Sequence, residues 1–267
     1  MKIVNTVGEL HSALAELKGE TTGFVPTMGA LHKGHLSLVA RARKECAVCV
    51  VSVFVNPTQF NDKNDLKNYP RTPEADAAML AEAGVDIVFM PGVEDIYPEP
   101  DTRVFDFGAV DKVMEGATRP GHFNGVAQVV SRLFDLVQPD KAYFGEKDFQ
   151  QIAVIKAMVA QLGLKVEIVE CPIVRDADGV ALSSRNALLD AEHRAAAAKA
   201  GEMTPVETEQ YVTTEIEKNP LLKVIYFHAV DALTMQRVAS WSDAERVQGC
   251  VAVQAGNIRL IDNIKLK

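Results

Sequence analysis

Short apolar runs alternate with amphipathic stretches of helical length along the first two thirds of this chain, and that alternation constrains its fold more than any other feature. The apolar runs predict five strands, at residues 22–26, 47–55, 85–90, 141–144 and 166–171. Helices are predicted between them, beginning near Gly34 or His35, at Thr72 ahead of Pro73, and with one apolar face over 126–137. Such an alternation favours a parallel sheet with right-handed crossovers and helices on both faces, which is an α/β fold.

The pattern changes after Gly179. Helices are predicted at 190–200 and 205–218, and strands follow at 223–230, 249–255 and 258–261. The turn at 255–257 indicates that the last two strands pair as an antiparallel hairpin. We therefore expect two domains: a parallel α/β domain over residues 1–175 and a smaller α+β domain over residues 176–267.

Composition narrows the classes of partner. The chain has 267 residues, 48% of them apolar, as expected for a folded, water-soluble protein. Its 28 basic and 36 acidic side chains give a net charge of -8, which argues against a surface that binds nucleic acid or anionic lipid. The longest apolar run, 47–55, is too short to span a bilayer, and the first twenty residues lack the features of a signal peptide. We expect a cytoplasmic protein.

Cys46 and Cys49 form a C-x-x-C pair, which raises the question of a redox or zinc site. Both are predicted to lie on one strand, where an odd separation would place the thiols on opposite faces. No second pair stands at zinc-binding spacing, so we expect reduced, buried thiols and no protein-bound zinc.

The first predicted strand leads into a loop at 26–35, Pro-Thr-Met-Gly-Ala-Leu-His-Lys-Gly-His, that ends at a helix N-terminus. In a parallel sheet, ligands bind outside the carboxyl ends of the strands, and a helix N-terminus attracts phosphate. Gly34 would allow close approach, and His32 and His35 could donate ring N–H groups to phosphate oxygens. The alternative is that Gly29 and Gly34 shape a turn while the histidines cap a helix.

Two further strand ends carry polar side chains. Asn56 and Gln59 follow the second strand and suit a small molecule's hydroxyls and carboxylate, although Asn56 could equally serve the turn before Pro57. Lys147 follows the fourth strand and could neutralise phosphate charge. The spacing of Asp148 and Gln151 also suits a capping box, which does not exclude contact with a ligand.

A later segment, Ala181-Leu-Ser-Ser-Arg-Asn186, offers two hydroxyls and a guanidinium that could wrap a pyrophosphate. It could also be a solvated linker. Together with the histidine loop and Lys147, this segment favours a triphosphate site. The sequence contains neither a Walker motif nor a G-x-G-x-x-G, so Walker-type and dinucleotide-binding Rossmann sites are disfavoured.

The remaining histidines divide into two groups. We interpret His11 and His193, on predicted helices, and His228, on a predicted strand, as structural. His122 lies with Arg119 on a glycine-rich loop before a helix, and both stay open as site candidates.

The H-x-G-H element and the later Ser-Ser-Arg resemble the nucleotidylyltransferase superfamily, whose Rossmann-like sheet is shared with class I aminoacyl-tRNA synthetases. Six blocks, in order over residues 26–186, are similar to the pantothenate synthetases. The blocks are PTMGALHKGH from Pro26, VFVNPTQF from Val53, YPRT from Tyr69, RPGHFNGV from Arg119, GEKDFQQ from Gly145 and LSSRN from Leu182. The resemblance implies a HIGH-type Rossmann-like sheet and ATP-dependent ligation of (R)-pantoate and β-alanine through a pantoyl adenylate, releasing AMP and pyrophosphate.

The same resemblance implies roles for individual residues. Catalytic roles fall on His32, His35, Lys147, Ser183, Ser184 and Arg185. Pantoate and β-alanine binding falls on Asn56, Gln59 and Gln151. ATP contacts fall on Met28, Gly29, Ala30, Leu31, His32, Lys33, Gly34, His35, Gly145, Glu146, Lys147, Asp148, Val174, Leu182, Ser183, Ser184 and Arg185. Mg²⁺ would be held largely by the triphosphate, with Asp76 as an outer-shell candidate and no direct protein ligand.

The resemblance fades from about Ala195, within the C-terminal domain that would act as a lid. The family implies a homodimer, with no membrane or nucleic acid partner. Three other functions stay open: a different nucleotidylyltransferase, a fragment of a class I tRNA synthetase, and a non-catalytic nucleotide sensor on the same sheet. The acidic balance weighs against the synthetase fragment.

Overall fold

The computed structural model describes residues 1–61, 63–176, 181–182, 204–256 and 258–267. A parallel sheet of six strands lies at its centre, in the order β1-β4-β3-β2-β5-β6. The strands are β1 Lys2–Val4, β2 Thr22–Thr27, β3 Val48–Val53, β4 Ile87–Phe89, β5 Lys141–Gly145 and β6 Glu167–Cys171. The five predicted strands are confirmed. The sequence pattern does not predict β1, because three residues are too few to show a period.

Helices cover both faces of this sheet. They are α1 Val7–Ala15, α2 Lys33–Glu45, α3 Lys63–Asn68, α4 Pro73–Glu82, α5 Val93–Ile96, α6 Met114–Thr118, α7 His122–Val137 and α8 Phe149–Leu162. One apolar layer packs α1, α7 and α8 against the sheet, and a second layer packs α2 and α4 on the opposite face. The predicted α/β fold is therefore confirmed.

The C-terminal domain is built on a separate antiparallel sheet. Its described elements are α9 Pro205–Glu217, β7 Leu222–Asp231, β8 Val247–Ala255 and β9 Ile258–Lys265, with strand order β7-β8-β9. The helix starts where Thr204 and Glu207 form a capping box ahead of Pro205. The predicted hairpin is confirmed, whereas the helix predicted at 190–200 lies outside the described residues.

The two domains meet through a buried apolar cluster. Met114 and Phe149 come from the first domain, and Val230, Met235 and Cys250 come from the second. This cluster fixes the base of the C-terminal domain against α6 and α8. Among the described helices, none combines the length and apolarity that crossing a bilayer requires.

The C-x-x-C pair differs from expectation. Cys46 ends α2 and does not lie on β3, so Cys46 and Cys49 pack in the same buried layer and not on opposite faces. All four cysteines are free and buried. Burial raises the pKa of Cys49 to about 12, so this thiol stays protonated and unreactive at neutral pH.

Candidate active site

A cleft of about 1840 Å³ opens outside the carboxyl ends of β2, β3 and β5 and extends to the C-terminal sheet. In this sheet β2 lies between β3 and β5. The chain runs from β2 through β3 and β4 on one side, and then crosses to β5 and β6 on the other side. This is a topological switch point, where α/β proteins bind their ligands. The loops that follow these three strands carry most of the predicted site residues.

The histidine loop caps α2 with its own side chains. His32 Nδ1 accepts a hydrogen bond from the Gly34 backbone N–H at 3.1 Å, and His35 Nδ1 accepts from the His32 backbone N–H at 3.3 Å. A neutral ring that accepts at Nδ1 carries its proton on Nε2. The capping alternative is therefore correct, but it leaves the Nε2–H group of each ring as a donor.

Both rings are held in the neutral form. Burial lowers the pKa of His32, with Lys147 as the next cause, and burial and the neighbouring His32 ring lower the pKa of His35 to about 3. The ring centroids are 4.1 Å apart. At neutral pH the pair therefore offers hydrogen-bond donors without positive charge.

Asp76 anchors the histidine loop from α4. Its carboxylate is 1% exposed and accepts hydrogen bonds from the backbone N–H groups of Ala30 and Leu31, at 2.9 and 2.8 Å. Thr72 donates a third hydrogen bond to it at 3.2 Å. Gly29, with φ of 81°, lies so close that a Cβ there would be 2.9 Å from Asp76 Oδ2.

Asp76 is also the residue predicted to lie in the outer shell of Mg²⁺. Its two oxygens accept the backbone donors of the histidine loop, which gives it a structural role, and its outer-shell role stays a prediction. Among the described residues, no group of three or more His, Cys, Asp or Glu could hold a metal ion.

Gln59 and Asn56 follow β3, and their side chains differ in how many hydrogen bonds they make to the rest of the protein. Asn56 is 1% exposed; its Oδ1 accepts from Thr58 and from the Tyr97 hydroxyl, and its Nδ2 donates to Gln59 Oε1 at 3.1 Å. These contacts favour the turn interpretation for Asn56. Gln59 lines the cleft, with its Nε2 only 3.1 Å from Met28 Sδ, a weak acceptor that a ligand could replace.

Lys147 and Gln151 approach the cleft from the end of β5. The Lys147 ammonium is 3.2 Å from Asp148 Oδ1 and lies close enough to the histidine rings to lower their pKa. Asp148 stands at the N-cap of α8, but its side chain accepts no capping hydrogen bond, so the capping-box alternative is wrong. Gln151, in the first turn of α8, lines the cleft.

His122 and Arg119 lie beside Gln59, and His122 binds its backbone carbonyl. His122 Nδ1 donates to the Gln59 carbonyl at 2.8 Å, and an Arg119 nitrogen lies 3.2 Å from Nε2. Burial, with the Arg119 charge as the next cause, lowers the pKa of His122 to about 4. Both residues line the cleft, which places these open candidates beside the predicted substrate residues.

The other predicted ATP contacts fall into three groups. Met28, His32, Gly34, His35, Gly145, Lys147, Asp148, Val174 and Leu182 line the cleft. Gly29, Ala30, Leu31, Lys33 and Glu146 belong to the same loops but do not line it. Ser183, Ser184 and Arg185 lie outside the described residues, as does His193. Leu182, which precedes Ser183, packs within 3.6 Å of the Cβ position at Gly34.

The C-terminal domain contributes polar side chains that sequence reasoning missed. Tyr226 donates to the Glu115 carboxylate at 3.0 Å, and Arg259 binds the same carboxylate. Asn263 reaches the loop that carries Lys147. The only signal is a pair of polar residues, Asp262 and Asn263, in an apolar strand pattern, and the predicted strand stops just before them.

A doubly wound parallel sheet with a cleft at its switch point defines the class of α/β proteins that bind a small ligand outside the carboxyl ends of their strands. Within that class, the pantoate-beta-alanine ligase family matches residues 2–265. The chain is 59% identical to a pantothenate synthetase from Porphyromonas gingivalis, over 99% of both chains. It is 54% identical to one from Bacteroides thetaiotaomicron, over 100% of this chain and 99% of the relative.

Solved structures agree. Pantothenate synthetase from Thermus thermophilus superimposes with a TM-score of 0.92 at 46% identity, covering 99% of both chains. A pantoate-beta-alanine ligase from Francisella tularensis, complexed with beta-gamma ATP and beta-alanine, gives a TM-score of 0.87 at 35% identity, covering 99% of this chain and 97% of the other. The chain therefore belongs to the pantoate-beta-alanine ligase family and is an enzyme of that family.

Proposed function

We propose that this enzyme joins (R)-pantoate to β-alanine in an ATP-dependent reaction that passes through a pantoyl adenylate and releases AMP and pyrophosphate. The main support is the neutral histidine pair, whose Nε2–H groups remain available as donors beside Lys147 at the switch point. The Francisella relative, whose complex holds a form of ATP together with β-alanine, supports the same substrates.

The first step needs positioning and charge neutralisation and not a base. A carboxylate of pantoate is ionised at neutral pH, so it can attack the α-phosphorus directly. His32 and His35 donate to phosphate oxygens, and Lys147 supplies positive charge to the transferring group. Ser183, Ser184 and Arg185 are proposed to hold the departing pyrophosphate.

Gln59 and Gln151 are proposed to bind pantoate, with Gln59 also facing β-alanine. Asn56 lines the cleft beside Gln59 and orients it through the hydrogen bond at 3.1 Å. In the second step the β-alanine amine attacks the acyl carbon of the mixed anhydride and AMP leaves. Water must be excluded until then, and the C-terminal domain over residues 176–267 is proposed to act as the lid.

We propose that Mg²⁺ enters with ATP and is held largely by the triphosphate, as is usual for this ion. We also propose a homodimer, as expected from the family. A cytoplasmic location fits four free, buried thiols and a reaction that consumes ATP.

ATP–pyrophosphate exchange tests the proposal. We expect exchange that requires pantoate and proceeds without β-alanine. Exchange that requires an amino acid would indicate a tRNA synthetase fragment, exchange with another acid or alcohol would indicate a different nucleotidylyltransferase, and ATP binding without exchange would indicate a sensor. Each of these three outcomes contradicts the proposed function.

A further inference from the structure

A buried amide from the C-terminal domain binds the backbone of the Lys147 loop. Asn263, on β9, is 4% exposed, and its Nδ2 donates to the carbonyl oxygens of Glu146 and Lys147 at 2.8 and 3.0 Å. These carbonyls belong to the short 3-10 helix Glu146–Asp148 that joins β5 to α8. Both hydrogen bonds therefore cross from the second domain to the segment that carries the proposed catalytic lysine.

The orientation of this amide is fixed by a second one. Gln248, on β8 and 7% exposed, donates from Nε2 to Asn263 Oδ1 at 2.7 Å. With Oδ1 engaged as an acceptor, Asn263 must present both Nδ2 hydrogens to the two carbonyls. Linked hydrogen bonds between buried amides resist displacement, because breaking one leaves a buried polar group unpaired.

Asp262, the residue before Asn263, also links this end of β9 to the first domain. Asp262 accepts two hydrogen bonds from the Arg175 guanidinium, at 2.6 and 3.0 Å, and Arg175 also donates to the Asn263 carbonyl at 3.0 Å. The backbone of Asn263 is thus bound to Arg175, in the segment that follows β6, while its side chain binds the Lys147 loop. Two independent attachments fix the relative position of the two sheets at this point.

We propose that Asn263, oriented by Gln248, is a positioning residue that places the Lys147 ammonium at the transferring phosphorus. This inference rests on the proposed function. It makes adenylate formation depend on the contact between the domains, because the carbonyls of the Lys147 loop are bound by a side chain of the other domain. Lys147 itself sits on a short 3-10 segment, so loss of both hydrogen bonds would let its side chain shift away from a productive geometry.

The test is a double-mutant cycle in pantoate-dependent ATP–pyrophosphate exchange. We expect Asn263→Ala to lower kcat about tenfold with KM for pantoate little changed. In the Lys147→Ala background the same substitution should have almost no further effect, because the group that it positions is absent. Asn219→Ala, which removes a side chain that caps a turn within the C-terminal domain, is the control and should leave exchange unchanged.

A second variant guards against loss of folding. Gln248→Met keeps the volume and removes only the donor that orients the Asn263 amide, so we expect about a threefold fall in kcat in a protein that still folds. Normal exchange in this variant would overturn the orienting role of Gln248. Equal effects of Asn263→Ala with and without Lys147 would overturn the inference, as would normal exchange in a folded Asn263→Ala protein. Absence of exchange in the unaltered enzyme, or full exchange in Lys147→Ala, would instead contradict the proposed function.

Discussion

The two loops that bring cations and donors to the cleft are supported in different ways. The histidine loop is fixed within its own domain, by the rings that cap α2 and by the Asp76 carboxylate on α4. The Lys147 loop is fixed by Asn263 from the other domain. The half of the site that holds the histidine loop is therefore preformed in the parallel domain. The half that holds the Lys147 loop depends on the position of the C-terminal sheet.

The largest expected effect comes from the donor of the preformed half. His35→Asn keeps an acceptor near the Nδ1 position and hence the contact with the His32 backbone, but it removes the Nε2–H donor. We expect exchange to fall about 100- to 1,000-fold, as for loss of one donor to a developing anion. His35→Gln, which places an amide near the Nε2 position, should retain more activity than the asparagine variant.

The readout is pantoate-dependent exchange together with circular dichroism and the melting temperature. His11→Asn, at an exposed position on α1, is the matched control and should be indistinguishable from the unaltered enzyme. If His35→Asn kept full exchange, capping would be the whole role of this ring and the donor assignment would be wrong.

A smaller effect is expected from the anchor of the same loop. In Asp76→Asn an amide N–H must face one of the two backbone N–H donors, so one hydrogen bond is lost and the loop shifts. We expect the exchange rate to fall about 10- to 30-fold in Asp76→Asn. A similar fall is expected in Gly29→Ala, because the added Cβ would collide with the same carboxylate. Asp106→Asn, which caps an exposed turn, is the matched control.

A fall in exchange in Asp76→Asn would show that a residue of the parallel domain positions the histidine loop. The loop would then not depend on contacts from the C-terminal domain. Additive effects of Asp76→Asn and Asn263→Ala would show that the two halves are held separately. A strongly non-additive pair would mean that the halves share one support, against the observed geometry.

Sequence patterns predict the parts of this molecule that repeat locally. The strand periods indicate β2 to β6 and the hairpin of β8 and β9, and the positions after strand ends indicate the histidine loop, Gln59 and Lys147. The supporting contacts could not be predicted in the same way. Asp76 acts on residues 45 and 46 positions away, and Asn263 on residues 116 and 117 positions away, and no local period carries such pairings.

Buried polar residues also mislead where a local role competes with a ligand role. Asn56 fits a turn residue and a substrate contact equally well by sequence, and only its complete set of hydrogen bonds favours the turn. The sequence pattern places Cys46 on a strand because the apolar run continues across the helix end. In both cases the side chain's neighbours, and not its type, decide the role.

The last prediction concerns the free energy of unfolding at acidic pH, which the titration of His122 affects. Its native pKa of about 4 lies below the ordinary value of 6.5, because burial and Arg119 disfavour the charged ring. Between these two values the unfolded chain binds more protons, so stability rises with pH through the window and falls as the solution is acidified. The contribution is fully present above 6.5 and is lost by about pH 4.

His122→Asn removes this titration while keeping a donor near the Nδ1 position for the Gln59 carbonyl. We expect the free energy of unfolding of the unaltered enzyme to fall more steeply between pH 6.5 and 4, by up to about 1.4 kcal/mol per pH unit. Urea titrations at several pH values measure the slope, with His11→Asn as the control. Parallel curves for the unaltered enzyme and His122→Asn would contradict the lowered pKa of this ring.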